Sequence, residues 1–245
     1  MQADAGDSAE RREWELRELV ATGSRILAAN GHDDFIWGHL AARDPHGRGV
    51  WMKRSGLGFE EITADDVILI GFDGEIVVGS GPAHVEWPIH TEVMLARADV
   101  AATVHSHPPY ANALAASGEQ LRAVSHAGTM FVPPDVPRFT KTANLIVTRE
   151  LGRDVAAAIG GLEALFLVNH GIVVAGEDVE NAVMRAVLLE KACHQQILTN
   201  MAGGVAHFTA DAEALEKRAV VWSGSARSGL WRYLARRLQG DGSER

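Results

Sequence analysis

The segment Thr103-Val104-His105-Ser106-His107 carries the residue types and spacing best suited to chemistry in this 245-residue chain. Side chains of an extended strand alternate between faces, so His105 and His107 project from one face, about 6–7 Å apart along the chain. Two imidazoles so placed can share one cation at metal–nitrogen distances of about 2.0–2.1 Å. The spacing alone also fits two histidines satisfied within a core. The flanks favour the metal: apolar Val100–Val104 precedes the pair and Pro108-Pro109 follows it, which sets it at the end of a buried strand, where sites are commonly built. His170, in Leu167-Val168-Asn169-His170-Gly171, ends a second apolar strand. Alone it reads as a core histidine; beside the pair it is the natural third ligand. Three histidines leave a coordination position open, as a catalytic ion requires. Glu86 stands just before Pro88 and suits a helix start, where the macrodipole favours an acid. Between apolar and aromatic neighbours its carboxyl is also expected to be pushed up far enough to exchange protons near neutrality.

The elements that must position these residues follow from apolar periodicity. Residues 8–29 form an amphipathic helix with Trp14, Leu16, Leu19, Val20, Ile26 and Leu27 on its apolar face, ended by Asn30-Gly31. Strands are expected at 35–43, 49–53, 67–72 and 75–79, the last two joined by an Asp73-Gly74 hairpin turn. A helix starts after Glu86, with Pro88 in its first turn. A strand covers 100–107, a short helix 110–116, and another helix ends at Gly160-Gly161. Strands at 164–170 and 172–175 precede a long helix from Asp178 to about Met201, stopped by Gly203-Gly204. No repeat or low-complexity linker divides the chain, so the expectation is a single mixed α/β domain, α+β-leaning, with a mostly antiparallel sheet between helices.

Composition narrows the function classes. The chain is 47% apolar and 22% charged, with a net charge of −9, enough to bury a sizeable core. It has no dense Lys/Arg stripe, which argues against nucleic acid. Cys193 is the only cysteine, so no intramolecular disulfide is possible. The acidic, polar start lacks the apolar core of a signal peptide, and no run of about 18 apolar residues could span a membrane; a cytoplasmic location is expected. Residues 208–245 hold Trp222, Leu230, Trp231, Tyr233 and Leu234, an amphipathic cluster expected to dock on a neighbouring subunit.

Taken in order, further motifs join these residues: Gly38-His39-Leu40-Ala41-Ala42-Arg43, Ser55-Gly56-Leu57-Gly58, Glu86-Trp87-x-x-His90, Val104-His105-x-His107, Asn169-His170-Gly171 and the Ala-rich helix with Glu190. Together they resemble the class II aldolase/adducin family over roughly residues 10–203. The resemblance implies a three-layer α/β fold and a cyclic homotetramer with sites between subunits. It also implies metal ligands at His105, His107 and His170, and an acid/base at Glu86. Phosphosugar members of that family clasp phosphate with an Asn and a Ser-Ser pair; here those places read His39 and His84-Val85. Val85 offers no hydrogen bond, so an unphosphorylated substrate is expected. A carboxylate would be held among Arg43, Lys53, Arg54, Ser55, Gly56, His39 and His84. The stretch from Asp135 to Phe139 and on to Ala156 resembles the branch of decarboxylases acting on hydroxylated aromatic dicarboxylates.

The chemistry expected is carbon–carbon cleavage aided by one divalent ion per chain (zinc, manganese, iron or cobalt), a Lewis acid for the oxyanion left when the bond breaks. Decarboxylation of a dihydroxyphthalate-like acid ranks first, with Glu86 delivering the proton directly or through His126 or water. Aldol cleavage of a small hydroxy-keto acid is the alternative. A non-catalytic adducin-like interaction module is the competing class, and the retention of all three histidines argues against it.

Overall fold

A computed structural model describes residues 3–240. Helix α1 (Ala3–Leu27) buries Val20, Ala21, Ile26 and Leu27. It runs into a π-helical turn, Ala28–His32, where Gly31 takes φ +84° and breaks the helical path. Trp14, placed on the apolar face by periodicity, stays 43% exposed and lies under the Arg17 guanidinium instead. Strand β1 (His39–Arg43) starts four residues later than its apolar pattern suggests. Phe35 and Gly38 both take positive φ, which an extended strand cannot accommodate.

Strands β2 (Gly49–Lys53), β3 (Val67–Gly71) and β4 (Ile76–Val78) continue as an antiparallel meander. Helix α2 (Trp87–Ala96) then leads to β5 (Ala102–Ser106), α3 (Pro109–Ser117) and α4 (Gly128–Phe131). Strand β6 (Arg138–Phe139), α5 (Arg149–Ile159), β7 (Ala164–Leu167) and β8 (Gly171–Gly176) follow. The long α6 (Val179–Met201) is capped by Asp178, which accepts from Asn181 N. Two further helices, α7 (Asp211–Val221) and α8 (Gly224–Gly240), complete the described chain.

Among the described residues, eight strands form one sheet in the order β4-β3-β2-β1-β5-β8-β7-β6. Every pairing is antiparallel except the short parallel β6–β7 contact. Strand alternation divides the core in two. Leu40, Trp51, Leu69, Val104, Phe166 and Val174 face the layer of α1, α3 and α6. Ala41, Met52, Ile70, Leu165 and Val173 face the layer of α2 and α5. The result is a three-layer α/β fold with the sheet in the middle, as the family resemblance implies.

The C-terminal helices cover part of their apolar cluster within the chain. Trp231 and Leu234 are buried within their own chain, in the core shared with α1 and α6, while Tyr233 is exposed. The amphipathic cluster is covered largely intramolecularly, because its apolar stripe matches the outer face of α6. No described helix is long and apolar enough to cross a membrane.

Candidate metal centre

Cross-strand register puts His39 of β1 directly opposite His105 of β5, on the face covered by α2. His107 follows two residues beyond His105, just past the strand end, and His170 lies in the β7–β8 turn. Gly171 permits this convergence: a Cβ there would sit 2.5 Å from Ser106 O and 2.7 Å from the His107 ring. One ring nitrogen from each of His105, His107 and His170 falls within 4.8 Å of the others.

Hydrogen bonding fixes the tautomers of two of them. His105 Nδ1 donates to Ile172 O at 2.9 Å, and His107 Nδ1 faces Asp34 Oδ2 at 2.9 Å. Both Nε2 atoms therefore carry lone pairs, yet they face each other at 3.1 Å. Burial holds both imidazoles below their ordinary pKa, so neither lone pair is relieved by a proton. Both nitrogens of His170 are buried with no hydrogen-bond partner. Two lone pairs facing each other, with a third buried imidazole beside them, suit a divalent cation, and a tetrahedral site at about 2.0–2.1 Å from each nitrogen separates its ligands by roughly 3.3 Å.

Glu86 stands at the N-terminus of α2, as its place before Pro88 predicts, and is buried. Oε1 accepts from Ile146 N at 2.7 Å and lies 3.5 Å from His170 Nε2; Oε2 lies 3.6 Å from His105 Nε2. The expected upward pKa shift is not found. Burial pushes the carboxyl up, but the imidazoles of His170 and His105 and the Ile146 N–H outweigh it and bring it to about 2. Glu86 is an anion at neutral pH and can take up a proton but holds none to give.

These groups open on a cavity of about 720 Å³ whose wall includes Asp34, Ser55, His84, Glu86, His107 and His170. Its rim is apolar: Ile36, Trp37, Val85 and Leu145 line it and are each about half exposed. His39 lies immediately behind His84, with ring centroids 4.0 Å apart, and is fully buried.

The other sequence candidates are distributed differently. Ser55 reaches the cavity wall. Gly56, at φ +92°, shapes the adjoining loop. Arg43 lies at the far end of β1 from His39 and donates to the carbonyls of Met94, Arg97 and Val100; it caps the C-terminal end of α2 and is spent. Arg54 pairs with Asp66 at 3.0 Å, off the cavity wall. Lys53 is fully buried and donates to Ile36 O and Leu57 O. Burial lowers its pKa to about 8, and its charge acts on the cavity from behind His39 and His84. His126 is exposed and off the cavity wall; only its carbonyl is engaged, by Thr129 Oγ1 and Trp222 Nε1.

Sequence reasoning overlooked Asp34 and Asn112 on the cavity wall, and passed over Asn169 and His90 as motif letters only. A ligating histidine needs a partner on its second nitrogen. That requirement was a signal for a carboxylate such as Asp34, although nothing local marked which one.

The profile of the Class II Aldolase and Adducin N-terminal domain matches residues 17–197. A 3,4-dihydroxyphthalate decarboxylase from Arthrobacter keyseri is 30% identical over 213 residues, 82% of this chain and 85% of that protein. A 4-hydroxy-3-prenylphenylpyruvate oxygenase/4-hydroxy-3-prenylbenzoate synthase from Streptomyces roseochromogenus subsp. oscitans is 31% identical over 211 residues, 84% of this chain and 76% of that protein. Among solved structures, an L-fuculose 1-phosphate aldolase from Glaciozyma antarctica superposes with a TM-score of 0.83 at 26% identity, covering 95% of this chain and 93% of the other.

Proposed function

The chain belongs to the class II aldolase and adducin family and is an enzyme of its lyase type, and from that premise we propose that it decarboxylates a small, unphosphorylated hydroxyaromatic dicarboxylate. The observation that carries this reading is the make-up of the cavity. Its wall joins His107 and His170, with His105 buried beside them, and an anionic Glu86 to a half-exposed apolar rim of Ile36, Trp37, Val85 and Leu145. Such a rim suits the face of an aromatic ring. The two positions flanking Glu86 on its N-terminal side, His84 and Val85, offer no hydroxyl for a phosphate. The name of the Arthrobacter keyseri relative supports the same substrate class.

His105, His107 and His170 would hold one divalent ion, with zinc, manganese, iron and cobalt as candidates. When bound, that ion supplies a Lewis acid for oxygen atoms of the substrate. The protein's own part is proton transfer. Glu86, ionised at neutral pH, takes the proton from a substrate hydroxyl ortho to the carboxylate. It returns that proton to the ring carbon bearing the carboxylate, and the carbon–carbon bond breaks as its electron pair restores the aromatic ring. Carbon dioxide leaves, and the product oxyanion takes one proton from solvent, which balances the reaction. His126 has no place in this path, because it lies off the cavity.

The reading extends to a single-domain homotetramer acting in the cytoplasm, with no nucleic-acid or membrane partner. Light scattering should give four times the chain mass. The deciding experiment is a carbon dioxide release assay of the metal-loaded protein on ortho-hydroxylated aromatic dicarboxylates, run beside ketose phosphates. Carbon dioxide from the former supports the proposal. An aldehyde from every accepted substrate would establish aldol cleavage in its place, a reaction that an ionised Glu86 could serve as base.

A further inference from the structure

The chain leading into β1 meets the end of β5 twice. His32, the last residue of the π-helical turn, places Nδ1 2.8 Å from Ser106 Oγ. Two residues on, Asp34 Oδ2 lies 2.9 Å from His107 Nδ1. Neighbouring residues of the strand end are thus held by two residues of one short segment. The contacts come from different layers. Ser106 alternates with His105 and continues the row of Ala102 and Val104, which faces α1 and α6. His107 lines the cavity.

Local sequence makes His32 an anchor. Gly31, at φ +84°, ends the helical path, and among residues 28–37 His32 alone is buried. Its partner Ser106 is also fully buried. Asp33 then takes an extended conformation at the surface and leads directly to Asp34. Beyond Asp34 the loop has ties of its own: Trp37 N donates to Asp34 O, and Lys53 Nζ donates to Ile36 O. Ahead of Asp34, the tie to β5 is His32.

An imidazole is an unfavourable filler for such a place. His32 Nε2 is buried with no hydrogen-bond partner, and a buried polar atom left unpaired destabilises the fold. A leucine would occupy the space without that penalty, but it could not bond Ser106. What the imidazole supplies is therefore the Ser106 contact, and the residue placed by that contact is Asp34.

We propose that His32 is a positioning residue for the three-histidine centre: bonded to Ser106, it fixes the start of the loop so that Asp34 meets His107. The proposal rests on the metal reading above. It adds a residue that hydrogen-bonds to none of the three ligands and acts through Asp34.

The test is zinc affinity of the full-length chain, measured by competition against a chromophoric chelator. His32→Leu removes the bond and keeps an apolar filler. Ser106→Ala removes it from the other side with little change in volume, and serves alone if His32→Leu does not fold. Each should weaken zinc binding about ten-fold, as when an outer partner of a ligating histidine is lost. His32→Asn, whose amide can take the place of Nδ1, should recover most of the affinity. The deciding comparison is made in an Asp34→Ala background. There, loss of the His32–Ser106 bond should weaken binding by less than about two-fold, because the route to His107 is already gone. The full ten-fold loss in that background would overturn the proposal, since the strand end would then be disturbed without Asp34. Wild-type affinity in either single variant would also overturn it. A wild-type chain that binds no zinc would refute the metal reading and this proposal together, whereas zinc lost from His105→Ala and fully kept by His32→Leu refutes the proposal alone.

Discussion

Asp34 and His107 are joined by a 2.9 Å contact between Oδ2 and Nδ1, made across the loop that precedes β1. The contact keeps the His107 proton on Nδ1 and directs its Nε2 lone pair at His105. Asp34→Ala frees the ring to turn and to change tautomer. Metal affinity should fall by about 10–100-fold, as when an outer partner of a ligating histidine is lost. Competition against a chromophoric chelator measures this, and unchanged affinity would reduce Asp34 to a loop residue.

His105→Ala, His107→Ala and His170→Ala should each lose the bound ion, measured by elemental analysis after dialysis. The three ring nitrogens lie within 4.8 Å of one another, so removal of one leaves two ligands and a poorly held ion. Full occupancy in a variant would strike that residue from the set.

Glu86→Gln separates proton transfer from metal retention. The amide keeps an oxygen to accept from Ile146 N–H, which donates to Glu86 at 2.7 Å, so the local fold should persist. The proton-accepting anion is gone, and kcat should fall about 10²-fold or more with metal content unchanged. Loss of the metal as well would mean that Glu86 takes part in holding it.

Much of this was legible in the sequence because the site lies at strand ends. The alternation of β5 and the apolar run before His170 located the three histidines, and Pro88 located the helix start that carries Glu86. What escaped depends on long-range geometry. The loop 35–38 looks apolar enough for a strand, and only the positive φ of Phe35 and Gly38 turns it into the cavity rim. Arg43 and Lys53 looked like free cations, because a sequence does not reveal which carbonyls will claim them. The Glu86 shift was misjudged for the same reason: its apolar neighbours in sequence are outweighed by imidazoles from β5 and the β7–β8 turn.

Trp231 tests how α8 is covered. It is 6% exposed, in the core formed with α1 and α6. Trp231→Ala should cost about 3 kcal/mol or more by chemical denaturation, in the range of buried aromatic truncations. A loss of subunit association with unchanged denaturation midpoint would instead mean that this side chain serves a neighbouring subunit.

Asp44 provides a pH test remote from the metal centre. Its buried carboxylate accepts from the backbone N–H groups of His46 and Arg48, the Arg48 guanidinium and Trp51 Nε1. Burial pushes its pKa up, but the bonds and charge of Arg48 and the Trp51 N–H prevail and bring it to about 2, against 3.8 ordinarily. The folded state therefore binds this proton less readily than the unfolded chain. The stabilisation is fully present above about pH 4 and is lost as pH falls toward 2. A shift of this size corresponds to something on the order of 2 kcal/mol. Asp44→Asn should lower stability at pH 7, and its gap from wild type should close between pH 4 and pH 2 in denaturation series. A gap that stays constant through that window would mean that Asp44 stabilises the hairpin by shape and hydrogen bonding alone.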